Sequence, residues 1–283
     1  KAFASRISKF SDAQDRMGVV PHRWACSRPP QGAWPHACLG PPSFLQFIVM
    51  RAKFLLVALV VGITAAGSKT ALAEVIEVPS VCYSTSVPTI SRTFVWQCEG
   101  KTFRWTVQIP RVLLEYSKNA KPLDTLRSLC DLTAYLKDRA NRAFVQLLAG
   151  RLAVAARQAG FERIGTAQLV ISFVQAIRYQ EKGAQFPIQT LAEGGDCDCK
   201  AILAAALLEA LGYKVALLIF ADHTHAAVGI SFYPWESPRV SPAWYWEWQG
   251  RRYYYAETTA PGWRIGELPE KYRSRGAYVC PIN

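Results

Sequence analysis

The sequence predicts an α+β fold in which a buried, cysteine-bearing helix packs on an antiparallel sheet, after an N-terminal β-hairpin and a helical segment. Three observations predict it. Phe103, Trp105, Val107 and Ile109 alternate with polar residues, the period of a half-buried strand. The run from Cys197 to Leu211 is almost wholly apolar, with only Asp198, Lys200 and Glu209 charged, as in a helix buried on all sides. Four segments after it, 214–220, 226–232, 243–248 and 251–258, are rich in Val, Ile, Trp and Tyr, the composition of strands.

Apolar residues make up 51% of the 283-residue chain and charged residues 19%, which supports a packed core and excludes wholesale disorder. The net charge of +12 is unevenly placed. Residues 1–73 carry nine Lys/Arg and two Asp/Glu, whereas residues 74–283 carry 24 and 19. The body is only mildly basic and has no Lys/Arg-rich run that could track phosphates, so nucleic acid is not the expected partner.

In chain order, residues 1–49 show no sustained period and read as a disordered leader or non-native upstream sequence, so Cys26, Cys38, His22 and His36 are set aside. Residues 50–73 read as a signal peptide. Arg51 and Lys53 precede the 13-residue apolar stretch Phe54–Ala66, and Ala71 and Ala73 supply small residues before a cleavage point at Glu74. The stretch is shorter than the roughly 20 residues of a membrane span. The expectation is export to the periplasm or the extracellular space, with an uncleaved anchor as the alternative route to a membrane.

The remaining chain divides by pattern into 74–165, a hairpin and helices, and 166–283, the core. Glu99-Gly100-Lys101 turns the hairpin over 92–110 and Pro110 ends it. Helical patterning then runs to Gly160 with a break near 118–122, and 123–160 reads as two helices. A further helix begins at Thr166, and residues 181–196 read as a loop. Gly212 ends the buried helix as a C′ residue. Gln249-Gly250 turns the last two strands. In an oxidising compartment the cysteines of this part can pair, and Cys82 with Cys98 is the favoured pair.

The chemistry centres on Cys197. Asp196 is placed as its N-cap, so the sulfur sits in the first helical turn, where unpaired N–H groups and the helix dipole are expected to lower the thiol pKa. A cysteine nucleophile needs an imidazole, oriented by a third group. Within 74–283 only His223 and His225 are available. His225 leads into a strand and can be held on a sheet face, whereas His223 reads as a solvated loop residue. Glu257 ends the neighbouring apolar strand. Gln175 and Gln189 are candidate oxyanion donors beside the Cys197 N–H, with an ordinary polar role as the competing reading.

Three blocks carry a resemblance. FPIQTLAEGGDCDCKAILAAALLEALG at 186–212, then HTHAAVGI, then YYYAETTAPGWRIGE together resemble the transglutaminase-like superfamily of papain-like cysteine enzymes. SFVQAIRY at 172–179 is similar to the helix before the motif in bacterial and archaeal members. The likeness covers roughly 166–269 and implies a papain-like transglutaminase core of exported bacterial type. It implies Cys197 as nucleophile, His225 as base and Glu257 as the orienting acid. It also implies acyl transfer at amide bonds without a cofactor, on a protein or peptide substrate. Two departures stand out: Cys199 occupies a place where the family usually carries an acid, and Glu257 is one methylene longer than the usual Asp.

Two other classes of function compete. Some members of the superfamily lack catalysis, so the core could be a binding module for peptide or glycan, using Trp244, Tyr245, Trp246, Trp248, Tyr253, Tyr254 and Tyr255. Half of these face the core if both segments are strands. Cys197, Cys199, His223 and His225 also make a Cys/His set for zinc or copper. Zinc sites usually separate their cysteines by two to four residues, and Cys199 lies roughly 200° around the helix from Cys197. The expected role of Cys199 is therefore packing or a disulfide.

Overall fold

A computed structural model describes residues 75–81, 86–120, 128–222 and 224–282. The leader, the signal segment, Cys82 and His223 lie outside the described residues.

The strands β2 (Thr89–Cys98) and β3 (Lys101–Pro110) pair antiparallel from Cys98↔Lys101 to Thr89↔Pro110. Glu99 and Gly100 take φ of 49° and 74°, the left-handed pair that a two-residue hairpin turn needs to match strand twist. A short β1 (Val75–Glu77) adds parallel to β3. The face carrying Trp96, Phe103, Trp105, Val107 and Ile109 is buried. It packs on Phe173, whose ring lies 5.1–5.3 Å from those of Phe94, Trp96 and Trp105.

Pro110 extends the backbone, and α1 (Arg111–Asn119) starts directly after it. A 3₁₀ turn (Leu129–Thr133), α2 (Ala134–Lys137) and α3 (Arg139–Gln158) follow, with Asp138 capping α3 through the Asn141 N–H at 2.8 Å. The α4 helix (Arg163–Ala176) begins three residues before the expected Thr166. Residues 187–193, expected as loop, form α5, opened by Pro187 at its first turn. Then comes α6 (Cys197–Ala210), the predicted buried helix, ending before Gly212.

The sheet is five-stranded and antiparallel throughout, ordered β6-β7-β5-β4-β8. Its strands are β4 (Lys214–Phe220), β5 (Ala226–Ser231), β6 (Tyr245–Trp248), β7 (Arg251–Ala256) and β8 (Ala277–Pro281). The edge strands β6 and β8 touch, so the sheet curls. One face packs on α6, which is covered on its other sides by α3, α4 and α5. This explains why α6 has no polar stripe: Ile202, Leu203, Leu207 and Leu208 are all buried. Each such side chain contributes about 1.5–3 kcal/mol on burial. The other face carries a smaller core of Leu218, Phe220, Trp246, Tyr255, Leu268 and Tyr272, covered by the chain between β7 and β8. The described residues belong to one compact unit. The architecture is α+β.

The expected Cys82–Cys98 pair is not formed: Cys98 is a buried free thiol, pushed up to about 11 chiefly by burial. Among the described residues a disulfide joins Cys130 to Cys280, tying the 3₁₀ turn to edge strand β8. Among the described residues, no helix is long and apolar enough to cross a membrane.

Candidate active site

Cys197 opens α6, and the residues before it fix that start. Gly194 has φ of 84°, and a side chain there would press on the Arg178 carbonyl oxygen at 2.6 Å. A side chain at Gly195 would collide with Cys199 Cβ. The close approach lets Gly195 run beside Tyr179, donating its N–H to Arg178 O at 3.3 Å and accepting the Gln180 N–H at 3.1 Å. Asp196 caps the helix as expected, Oδ1 accepting the Cys199 N–H at 3.2 Å, while Oδ2 accepts the Lys182 N–H at 3.2 Å.

The Cys197 thiol donates to Asp198 Oδ1 at 3.5 Å. This corrects the expectation of a lowered thiol pKa. Burial raises it well above the ordinary range, the Asp198 carboxylate adds to the rise, and the Ala226 N–H opposes them. Desolvation of the thiolate outweighs the helix end. Asp198 is itself buried, and burial followed by the charge of Asp196 pushes its carboxyl up to about 7.

His225, at the start of β5, is buried. Its Nε2 lies 3.1 Å from Glu257 Oε2 and 3.2 Å from the Tyr255 hydroxyl. Tyr255 spends its own proton on Glu257 Oε2 at 2.7 Å. The network therefore assigns a hydrogen to Nε2 and leaves Nδ1 as the basic nitrogen. The ring stacks on Tyr272 with centroids 4.5 Å apart and planes 5° from parallel, and Phe220 lies on its surroundings at 5.6 Å.

Glu257 follows the last residue of β7. Its Oε1 accepts the N–H of Thr258 and of Thr259, both at 2.9 Å, and the Thr259 hydroxyl at 2.7 Å. Burial alone would raise this carboxyl. The hydrogen bond and charge of His225, with Tyr255 and Thr259, outweigh burial and hold it at about 2. It is a fixed anion.

The structure thus pairs His225 with Glu257 on adjacent strands and sets Cys197 at the start of the helix that packs on β5. It commits the two glutamines elsewhere. Gln175 Nε2 donates to the main-chain oxygens of Glu257 at 2.8 Å and Trp263 at 3.0 Å. Gln189 Oε1 accepts the Phe186 N–H at 3.0 Å, capping α5. Cys199 is buried on another side of α6, its thiol donating to Gly183 O at 3.4 Å, so its role is packing and not a disulfide. Cys197 and Cys199 face apart, and no three His, Cys, Asp or Glu side chains cluster as metal ligands among the described residues. Of the seven aromatics between 244 and 255, Trp246, Tyr253 and Tyr255 are buried and the other four are half-buried.

Sequence reasoning missed three neighbours of the site. Tyr255 had a signal, because it stands two residues before Glu257 on the same strand face. Tyr272 had none, since it reaches His225 from a loop 47 residues away. Lys200, fully buried, had only the anomaly of a cation inside an apolar run.

Chemically, an imidazole backed by a fixed carboxylate can serve as a general base, and a thiol at a helix start is the kind of group it could serve. Comparison with family models, with curated proteins and with solved structures returned no match.

Proposed function

We propose that this chain is an exported cysteine hydrolase acting on amide bonds of a protein or peptide, built on a papain-like transglutaminase core. The observation that supports this most is the pairing of buried His225 Nε2 with the Glu257 carboxylate at 3.1 Å, on the sheet that packs against the helix opened by Cys197. It leaves the other ring nitrogen for the thiol. In the proposed mechanism, His225 Nδ1 takes the Cys197 proton as the sulfur attacks the amide carbon. The Cys197 N–H, in the first helical turn where N–H groups lack helical partners, faces the developing oxyanion. The tetrahedral intermediate collapses as His225 passes that proton to the leaving amine. Water, deprotonated by His225, then releases the acyl group and restores the thiol. Glu257 stabilises the transient imidazolium throughout. The Cys130–Cys280 disulfide supports an oxidising compartment, and with it export.

One observation favours a second reading, a non-catalytic module for peptide or glycan: burial and Asp198 hold the Cys197 thiol up. A screen of mixed peptides for released amine, with Cys197→Ala and His225→Ala as controls, separates the two. The hydrolase releases amine and loses that release in both variants. Peptide binding that survives both changes without any release would overturn the enzyme reading.

A further inference from the structure

We infer that Lys200 is a positioning residue that holds the Glu257 carboxylate in line with His225, so that the helix bearing the nucleophile also anchors the acid. The inference rests on the Cys197–His225–Glu257 reading. Lys200 is fully buried, three residues after Cys197 on α6. Its ammonium has three hydrogens and makes three hydrogen bonds, all to main-chain oxygens: Gln175 at 3.1 Å, Ile177 at 2.8 Å and Thr259 at 3.0 Å. The first two oxygens belong to the end of α4, where the helix dipole is negative and carbonyls lack helical partners. The third belongs to the loop that follows Glu257.

Thr259 closes the path. Its carbonyl is held by Lys200, while its N–H and hydroxyl hold Glu257 Oε1 at 2.9 and 2.7 Å. Gln175 braces the same loop from α4, through the main-chain oxygens of Glu257 and Trp263. Lys200 is thus linked to the acid by one residue, and through the acid to His225 Nε2.

The cost argues against a packing role. Residues 201–205 on the same helix are fully buried and apolar, and a Leu or Met at 200 would suit that environment. Burying an ammonium costs several kcal/mol unless hydrogen bonds and an opposite charge compensate. Burial accordingly lowers Lys200 to about 8, and the charge of Glu257 opposes it. The cation supplies what a Met cannot: three simultaneous donors converging on two segments, and a charge facing the buried acid.

The test is nitrogen NMR of the full chain labelled with [¹⁵N]histidine, read at His225, in wild type, Lys200→Met and Thr259→Val. The Thr259 variant removes the hydroxyl bond to Glu257 and keeps the carbonyl that Lys200 holds. Wild type should show His225 as one Nε2–H tautomer. Folded Lys200→Met should show averaged tautomers, and iodoacetamide labelling of Cys197 should fall at least roughly tenfold. Thr259→Val should shift the tautomer balance in the same direction. A folded Lys200→Met variant with the wild-type tautomer and labelling rate would overturn the inference. If Lys200→Met does not fold, an unchanged tautomer in Thr259→Val overturns it and a shifted one supports it. A wild type already averaged between tautomers would instead sink the Cys-His-Glu reading, and the inference with it.

Discussion

At Cys197 two influences meet with opposite signs. The helix start and the Ala226 N–H favour the thiolate, while burial and the Asp198 carboxylate favour the thiol, and the second pair prevails. The thiol can then ionise at neutral pH only as His225 accepts its proton. Asp198 is the adjustable part of this balance. Its folded pKa, about 7, lies above the ordinary 3.8, so between those values the folded state binds more protons than the unfolded state. Stability therefore falls as pH rises through that window. Asp198→Asn should leave the melting temperature unchanged near pH 4 and raise it at pH 8, and should speed Cys197 alkylation at pH 8. A variant that melts below wild type at pH 8 would show that the carboxylate is needed where it stands. The residues of this balance differ in legibility. Asp196 as cap and Cys197 at the first turn follow from local spacing. The sign of the thiol shift does not, because it depends on how deeply the sheet covers the sulfur.

Elements were legible where their signal is local. The hairpin, the buried helix and the strands from 214 to 256 show in alternation or apolar runs. The α5 helix was hidden because Pro187 and the flanking glycines read as breakers, although proline is well suited to a first turn. The β8 strand was hidden because its pairing with β4 is made across the chain. Two predictions belong at this scale. Gly195→Ala should disrupt the entry to α6, since its methyl would collide with Cys199 Cβ. Chemical denaturation should show a loss of about 2 kcal/mol or more; wild-type stability would contradict the tight approach of 195 to α6. The Cys130–Cys280 bridge spans 150 residues, and by loop entropy constrains the unfolded chain by about 5 kcal/mol. Reduction should lower the urea midpoint without removing the native circular dichroism. An unchanged midpoint would show that the bridge contributes nothing to stability.

Across the whole molecule, the proposed site draws on residues from distant parts of the chain. The α6 helix, opened by Cys197, packs against β4 and β5, His225 directly precedes β5, and Glu257 follows β7 beside it. The order of these elements was readable from the sequence, and so were the candidates for the proposed site. Its support was not. Tyr272 comes from the covering loop, Gln175 from α4 and Lys200 from within the apolar helix, and each acts across the chain. Glu257 is the hub of this assembly, accepting bonds from Tyr255, Thr258, Thr259 and His225. Its folded pKa of about 2 lies below the ordinary 4.5, so its contribution to stability is present above pH 4.5 and lost as pH falls towards 2. Glu257→Gln should therefore flatten the acid limb of the stability profile, measured by urea midpoints between pH 2 and 6; an unchanged acid limb would assign that stability to other carboxylates.

The central claim is that Cys197 exchanges its proton with His225. The most direct measurement is the pH dependence of iodoacetamide labelling at Cys197 in the full chain, by peptide mapping, for wild type and His225→Ala. An isolated cysteine titrates near 8.5. The account predicts that wild type labels at neutral pH, because His225 takes the proton that burial and Asp198 otherwise hold on the sulfur. In His225→Ala labelling should begin only well above about 8.5, because burial and Asp198 then act without a proton acceptor beside them. Superimposable profiles in the two proteins would contradict the account and leave a fold that holds a cysteine without using it.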